Sequence, residues 1–157
     1  MFKQRLVIRF SKTGLLRFIS HRDLMAAMER ACRRARIPLA MSEGYNPRPR
    51  MSFPLALGVG VAGLNEPMEL QLTDWNNPVR LTARLDDALP EGLDAHAWQY
   101  RHGQKFRARK AAYRIDLPGT LSPDTRRRLD DLNRQAAIPI VRRTEGKPDR
   151  RVDLRPF

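Results

Sequence analysis

Arg5-Leu6-Val7-Ile8-Arg9-Phe10, then Ser11-Lys12-Thr13-Gly14, then Ser20-His21-Arg22-Asp23-Leu24, decides the fold of the N-terminal part of this chain. The first stretch alternates, placing Leu6, Ile8 and Phe10 on one face of a strand. Ser11 to Gly14 turns the chain. Ser20 has the side chain of an N-cap, and Asp23 stands at the position that closes a capping box. The helix that follows carries Leu24, Met28, Ala31 and Ala35 on one stripe, with Met25 and Cys32 beside it. Arg22, Glu29, Arg33 and Arg36 fall on the opposite side, so the helix packs one face and presents cations on the other.

Working outward, Ser42-Glu43-Gly44-Tyr45-Asn46-Pro47-Arg48-Pro49-Arg50-Met51-Ser52-Phe53 alternates proline with other residues. Each proline fixes its own φ and pushes its predecessor out of the helical region, so a stiff extended arm is expected. Phe53 to Val61 then reads as a strand, and Met68 to Thr73 as its hairpin partner. Asn77 caps a short helix with Pro78 at its first position and Leu81, Leu85, Ala88 and Leu89 inward. Ala95 to Tyr100 completes the set. The order strand, helix, strand, strand, helix, strand predicts an α+β fold, a ferredoxin-like βαββαβ module over residues 1–102.

Residues 103–110 read as a basic linker. Beyond them Tyr113 to Leu117 is expected as a strand, Ser122-Pro123 opens a helix with Leu129 and Leu132, and Arg151 to Arg155 is strand-like. Ile138-Pro139-Ile140 and Glu145-Gly146 echo Ile37-Pro38-Leu39 and Glu43-Gly44. This weak internal repeat predicts a second, incomplete ferredoxin-like module over residues 111–157, in tandem with the first. The partner strand, second helix and last strand of such a module do not follow within these residues, and a module left so would have an unpaired edge that needs another chain or tolerates partial disorder.

Charge is segregated. The formal net charge is +13, with 12 basic against 3 acidic residues over 1–60, 2 against 7 over 61–100, and 16 against 7 over 101–157. Two basic blocks flanking an acidic one are the footprint of a polyanion. No apolar run reaches the roughly 20 residues of a membrane span, and the start lacks a signal-peptide core. A single cysteine excludes an internal disulfide and suits a reducing compartment, so a cytoplasmic location is expected.

Gly58-Val59-Gly60-Val61-Ala62-Gly63 matches the dinucleotide fingerprint literally, but a strand follows it where a helix is required. His21, His96, His102 and Cys32 show no clustered ligand spacing, so no metal site and no cofactor is expected. RNA is the partner this composition fits. Arg22, Arg33, Arg36, Arg48 and Arg50 are candidates to hold phosphates, Arg17 to join them in the RNA-binding surface, Tyr45 to stack a base, and His21 and Asn46 to hydrogen-bond the ligand. Five neutralised phosphates would give a log–log salt slope of about −3.5 on single strands. His21 is also the one candidate catalytic residue, since the helix dipole favours its neutral, proton-accepting form.

Arg9-Phe10-Ser11-Lys12-Thr13-Gly14, Leu16 to His21, Asp23-Leu24-Met25 and Ser42 to Pro47 through Ser52-Phe53 resemble a bacterial family of radical-SAM-linked proteins. Val152-Asp153-Leu154-Arg155-Pro156 resembles its later signature. Arg22 stands where many relatives carry an apolar residue, and Arg48 where they carry histidine. The resemblance implies a radical-SAM protein as partner. Cys32 alone cannot hold the iron–sulfur cluster such chemistry needs, so the cluster must be the partner's. The leading expectation is a non-catalytic RNA-binding accessory domain. Its competitors are a metal-independent ribonuclease using His21 and a protein-interaction adaptor.

Overall fold

In a computed structural model of the chain the opening alternation forms β1, Gln4–Lys12, with Leu6, Ile8 and Phe10 buried on one face. The structure describes residues 2–101, 105–108, 111–117, 119–144 and 146–153, with the backbone alone of residues 100, 101, 142, 144, 147, 152 and 153. A turn of 3-10 helix, Gly14–Phe18, leads into α1, His21–Arg34. Ser20 caps α1 as its sequence requires, accepting from the Asp23 N–H at 3.2 Å. Its hydroxyl also donates to the Asp23 carboxylate at 2.7 Å, so the box closes side chain to side chain.

Three further strands and a second helix complete the first unit: β2 Met51–Ser52, β3 Gly63–Leu72, α2 Pro78–Asp86 and β4 Leu93–Arg101. The sheet order is β2-β3-β1-β4, with every neighbouring pair antiparallel. The fold is therefore α+β, with antiparallel sheets. Leu24, Met28, Ala31 and Cys32 of α1 and Leu81 and Leu85 of α2 pack on Leu6, Ile8, Phe10, Met68, Leu70, Leu72, Leu93 and Ala95. Each large apolar side chain buried this way contributes roughly 1.5–3 kcal/mol, so the two amphipathic helices hold one face of the sheet. Asn77 caps α2, its side chain accepting from Val79 and Arg80 N–H groups at 3.0 and 3.2 Å.

The strand expected over Phe53–Val61 does not form. Only Met51 and Ser52 pair, opposite Leu70 and Glu69, and the chain then loops to Gly63. Pro54 removes a donor at the point where the pairing stops, and Gly60 takes a positive φ of 85°. β3 instead begins five residues earlier than the alternation at Met68 suggests. Pro67 fits within it because β2 does not extend that far, so no neighbour on that side requires its missing N–H.

The other face of the sheet is partly covered. Phe106, buried, donates its N–H to Glu69 at 2.6 Å, and the Arg9 guanidinium lies 5.3 Å from its ring centroid. Lys105 to Ala108 thus lie against the first unit, which reaches to Ala108. Gly103, Gln104 and residues 109–110 of the expected linker are outside the described residues, as is His102.

The second unit, the residues after Ala108, holds α3, Pro123–Arg134, and a hairpin of β5, Pro139–Thr144, with β6, Lys147–Asp153. Ser122 caps α3 by accepting from the Thr125 N–H at 3.1 Å. The strand expected at Tyr113–Leu117 is not formed, and Tyr113, Ile115 and Leu117 are exposed. Alternation alone makes no strand without a partner edge to bond. The segment that echoes Ile37–Gly44 is a full strand here, whereas its counterpart carries only isolated bridges at Leu39 and Met41. Glu145 and Leu154 to Pro156 lie outside the described residues.

Candidate functional site

The proline-spaced arm is a closed loop and not a straight rod. Ser42 donates its N–H to the Arg48 carbonyl at 2.8 Å, and Arg48 returns its N–H to Ser42 Oγ at 2.9 Å. Arg50 donates to the Ala40 carbonyl at 2.7 Å, and Met41 bridges Pro49. Gly44, at φ 111°, lets the chain bend between these two sides. The loop is therefore fixed at its base while its tip faces water. Tyr45 at that tip is fully exposed, at 106% of its reference area, and Asn46 and Arg48 are exposed beside it in sequence. Arg50 is half-buried with Glu43 3.6 Å away, so its charge is already engaged.

The arm leads through β2 to Phe53, and Phe53 ties it to the N-terminal end of α1. The His21 ring meets Phe53 edge-on with centroids 5.6 Å apart, and Phe53 meets Phe10 in the same way at 5.9 Å. This aromatic chain fixes the imidazole against the core. His21 Nδ1 is enclosed with no hydrogen-bond partner. Asp23 serves the Ser20 cap, so it does not orient the imidazole. Arg22 is exposed in the first turn of α1, and the Arg17 guanidinium lies 4.7 Å from the exposed Phe18 ring.

Two groups that the sequence reading passed over lie at this end of the sheet. Lys12 is 1% exposed and donates to the Arg17 carbonyl at 3.3 Å. Burial lowers its pKa, against the pull of Glu66. Glu66 is half-buried and raised by burial, with Arg9 and Lys12 opposing. Its Oε2 is buried without a partner. Gly63 makes room for it, because a Cβ there would stand 2.6 Å from the Glu66 Cγ. The signal was in the parity: Leu6, Ile8 and Phe10 run on to Lys12, and Leu72, Leu70 and Met68 run back to Glu66.

The cations of α1 do not form one cluster. Arg22 and Arg33 are separated by eleven residues of helix, about 16 Å of rise. Arg33 is paired with Glu29 at 3.0 Å. Arg36 lies just past the C-terminal end of α1, where Arg34 and Arg84 also converge. His21, Arg22 and Arg17 thus belong to one end of the helix, and Arg33 and Arg36 to the other.

Among the described residues no group of three or more His, Cys, Asp or Glu side chains is placed to hold a metal ion. No helix among them is long and apolar enough to cross a membrane. Cys32 is buried and its thiol is pushed up to about 12, chiefly by burial and also by Glu29, against its own backbone hydrogen bond. The glycine-rich stretch ends in β3, so no helix N-terminus follows it to receive a phosphate.

The chain is an α+β protein whose exposed polar loop and cationic helix ends surround no catalytic metal set among the described residues. Residues 5–157 match the family model described as "Uncharacterized protein conserved in bacteria (DUF2344)", and the chain belongs to that family. Neither a curated protein nor a solved structure matches it.

Proposed function

We propose that this chain is a non-catalytic RNA-binding accessory protein that serves a radical-SAM enzyme acting on RNA. The observation that carries the reading is Tyr45, whose ring stands wholly in solvent at the tip of a loop closed by the paired Ser42–Arg48 hydrogen bonds. Holding an aromatic ring in water gives the fold nothing. A preorganised ring with an exposed arginine three positions along the same loop suits stacking on a base beside a phosphate. The arm, Arg22 and Arg17 form the first contact surface, with His21 and Asn46 supplying hydrogen bonds. The radical-SAM partner is supported by the sequence resemblance and by the sealed thiol of Cys32, which leaves the cluster to the other protein. A cytoplasmic setting follows from the RNA ligand and the reduced cysteine.

For the fold, we propose that the first unit is a ferredoxin-like module and the second an incomplete relative of it. The sheet order and the two helices packed on one face support the first part. The recurrence of Ile-Pro-apolar and Glu-Gly signals after each unit's first helix supports the second.

Tyr45→Ala tests the reading. Losing one stacked base costs roughly 1–3 kcal/mol, about 5- to 150-fold in affinity for a single-stranded oligoribonucleotide. Unchanged affinity would remove Tyr45 from the interface and the main support with it.

A second reading, a metal-independent ribonuclease, draws on one observation: the enclosed His21 Nδ1 with no partner. RNA cleavage in EDTA that His21→Ala abolishes, with binding kept, would establish it. RNA left intact after prolonged incubation would exclude it.

A further inference from the structure

Where α1 and α2 end side by side, each helix caps the other. Arg34 of α1 donates to the Ala88 carbonyl just beyond α2, at 2.5 Å. Arg84 of α2 donates to the carbonyls of Ala35 and of Arg36, the latter at 2.8 Å. These bonds satisfy carbonyls at and just beyond the two helix ends, and they set two guanidiniums against the partial negative charge there. Between the helix ends lies an open cleft of about 730 Å³, lined by Arg34, Arg36, Arg84, Asp87 and Leu89 among others. Three arginines and one aspartate thus line it.

Arg36 is the residue that structure alone does not account for. Arg36 and Ile37 donate N–H groups to Arg33 and Cys32 at 3.1 and 2.9 Å, which makes a Schellman end with Arg36 at C′. Its φ is +51°, the left-handed backbone that glycine adopts without a Cβ penalty. An arginine there is strained, and its guanidinium makes no hydrogen bond or ion pair among the described residues. Backbone strain held at a cationic cleft points to a ligand. Arg34 and Arg84 spend one nitrogen each on capping, so each keeps N–H groups for a second acceptor.

We infer that this cleft between the C-terminal ends of α1 and α2 is a second phosphate-binding site, with Arg36 as the ligand-facing residue flanked by Arg34 and Arg84. The bound group is a phosphate ester. That it belongs to an RNA strand rests on the function proposed above, and a free nucleotide or pyrophosphate has the same chemistry.

Arg36→Gly is the clean test, because it removes the side chain and the strain while leaving both caps in place. Binding of a labelled 12-nucleotide single-stranded RNA is measured across a salt series with wild type and variant. One lost phosphate contact flattens the log–log slope by about 0.7, a loss of about fivefold in affinity at 0.1 M salt that vanishes near 1 M. The variant's melting temperature is expected to rise. A parallel amide-shift titration of the full chain with inorganic pyrophosphate is expected to move Ala35 to Ile37 and Ala88 to Leu89. Shifts there without RNA affinity would keep the cleft as a phosphate site and refute the RNA reading. Wild-type RNA binding with an unaltered Arg36→Gly slope and no shifts at the cleft would overturn the inference and leave the RNA reading standing.

Discussion

Lys12 and Glu66 each oppose what burial does to the other: burial lowers the Lys12 pKa against the Glu66 charge, and raises the Glu66 pKa against the charges of Arg9 and Lys12. The pH dependence of stability follows from the sign. Glu66 titrates above 4.5 when folded, so just above that pH the folded state binds more proton than the unfolded one. Its contribution is full below 4.5 and is lost as pH rises through the folded value. Urea midpoints are expected to show a decline across this window that Glu66→Gln abolishes. A decline retained in the variant would assign it to other carboxylates.

Ser20→Ala removes both the acceptor for the Asp23 N–H and the donor to its carboxylate. The expected cost is about 1 kcal/mol, within the usual range for an N-cap, read from chemical denaturation. Because α1 carries His21 at its first position, the variant should also weaken RNA binding if that end of the helix takes part. A stability change under 0.3 kcal/mol, on the order of a Gly-for-cap exchange, would contradict the capping role.

Cys32 gives a probe of the core. With its thiol pushed up to about 12, almost none is thiolate at pH 8. Iodoacetamide is expected to modify the native chain only as fast as it unfolds, and the urea-unfolded chain quickly. Equal rates in both states would contradict the packing of α1 on the sheet.

Much of the first unit was legible in the sequence because its signals are local. The alternation at Leu6, Ile8 and Phe10, the Ser20–Asp23 box and the Asn77-Pro78 cap each involve residues within a few positions of one another. Where pairing with a distant edge decides, local pattern failed. Leu55, Leu57, Val59 and Val61 read as a strand, yet β3 offers β2 a partner only at Glu69 and Leu70. Tyr113, Ile115 and Leu117 alternate, yet they pair with no strand among the described residues. The arm misled differently, since its prolines do favour extension but Gly44 and the Ser42–Arg48 bonds close it into a loop.

The candidate site was legible in part for the same reason. Tyr45 and Arg48 are exposed on the loop, whereas Arg33 and Arg50 have Glu29 and Glu43 beside them at 3.0 and 3.6 Å. Lys12 and Glu66 were missed because charge outweighed parity in the reading. Arg34 and Arg84 were missed because each bonds a carbonyl at a helix end far along the chain, 54 and 49 positions away.

Arg36→Gly carries a stability prediction separate from its binding one. Relief of the left-handed backbone at φ 51° is expected to stabilise the chain by about 1 kcal/mol in urea. A destabilised variant would mean that the Arg36 side chain contributes to the fold.

The salt dependence of RNA binding tests the central claim most directly. Arg17, Arg22 and Arg48 of the first surface, and Arg36 as the ligand-facing residue of the cleft, have no carboxylate pairing among the described residues, whereas Arg33 and Arg50 do. Four phosphate contacts predict a log–log slope of about −2.8 on single-stranded RNA, in place of the −3.5 expected from sequence. A slope near that value with wild-type protein, reduced in Arg22→Ala and Arg48→Ala, is the predicted result. No affinity at low salt, or a profile that stays flat as salt rises, would contradict the account.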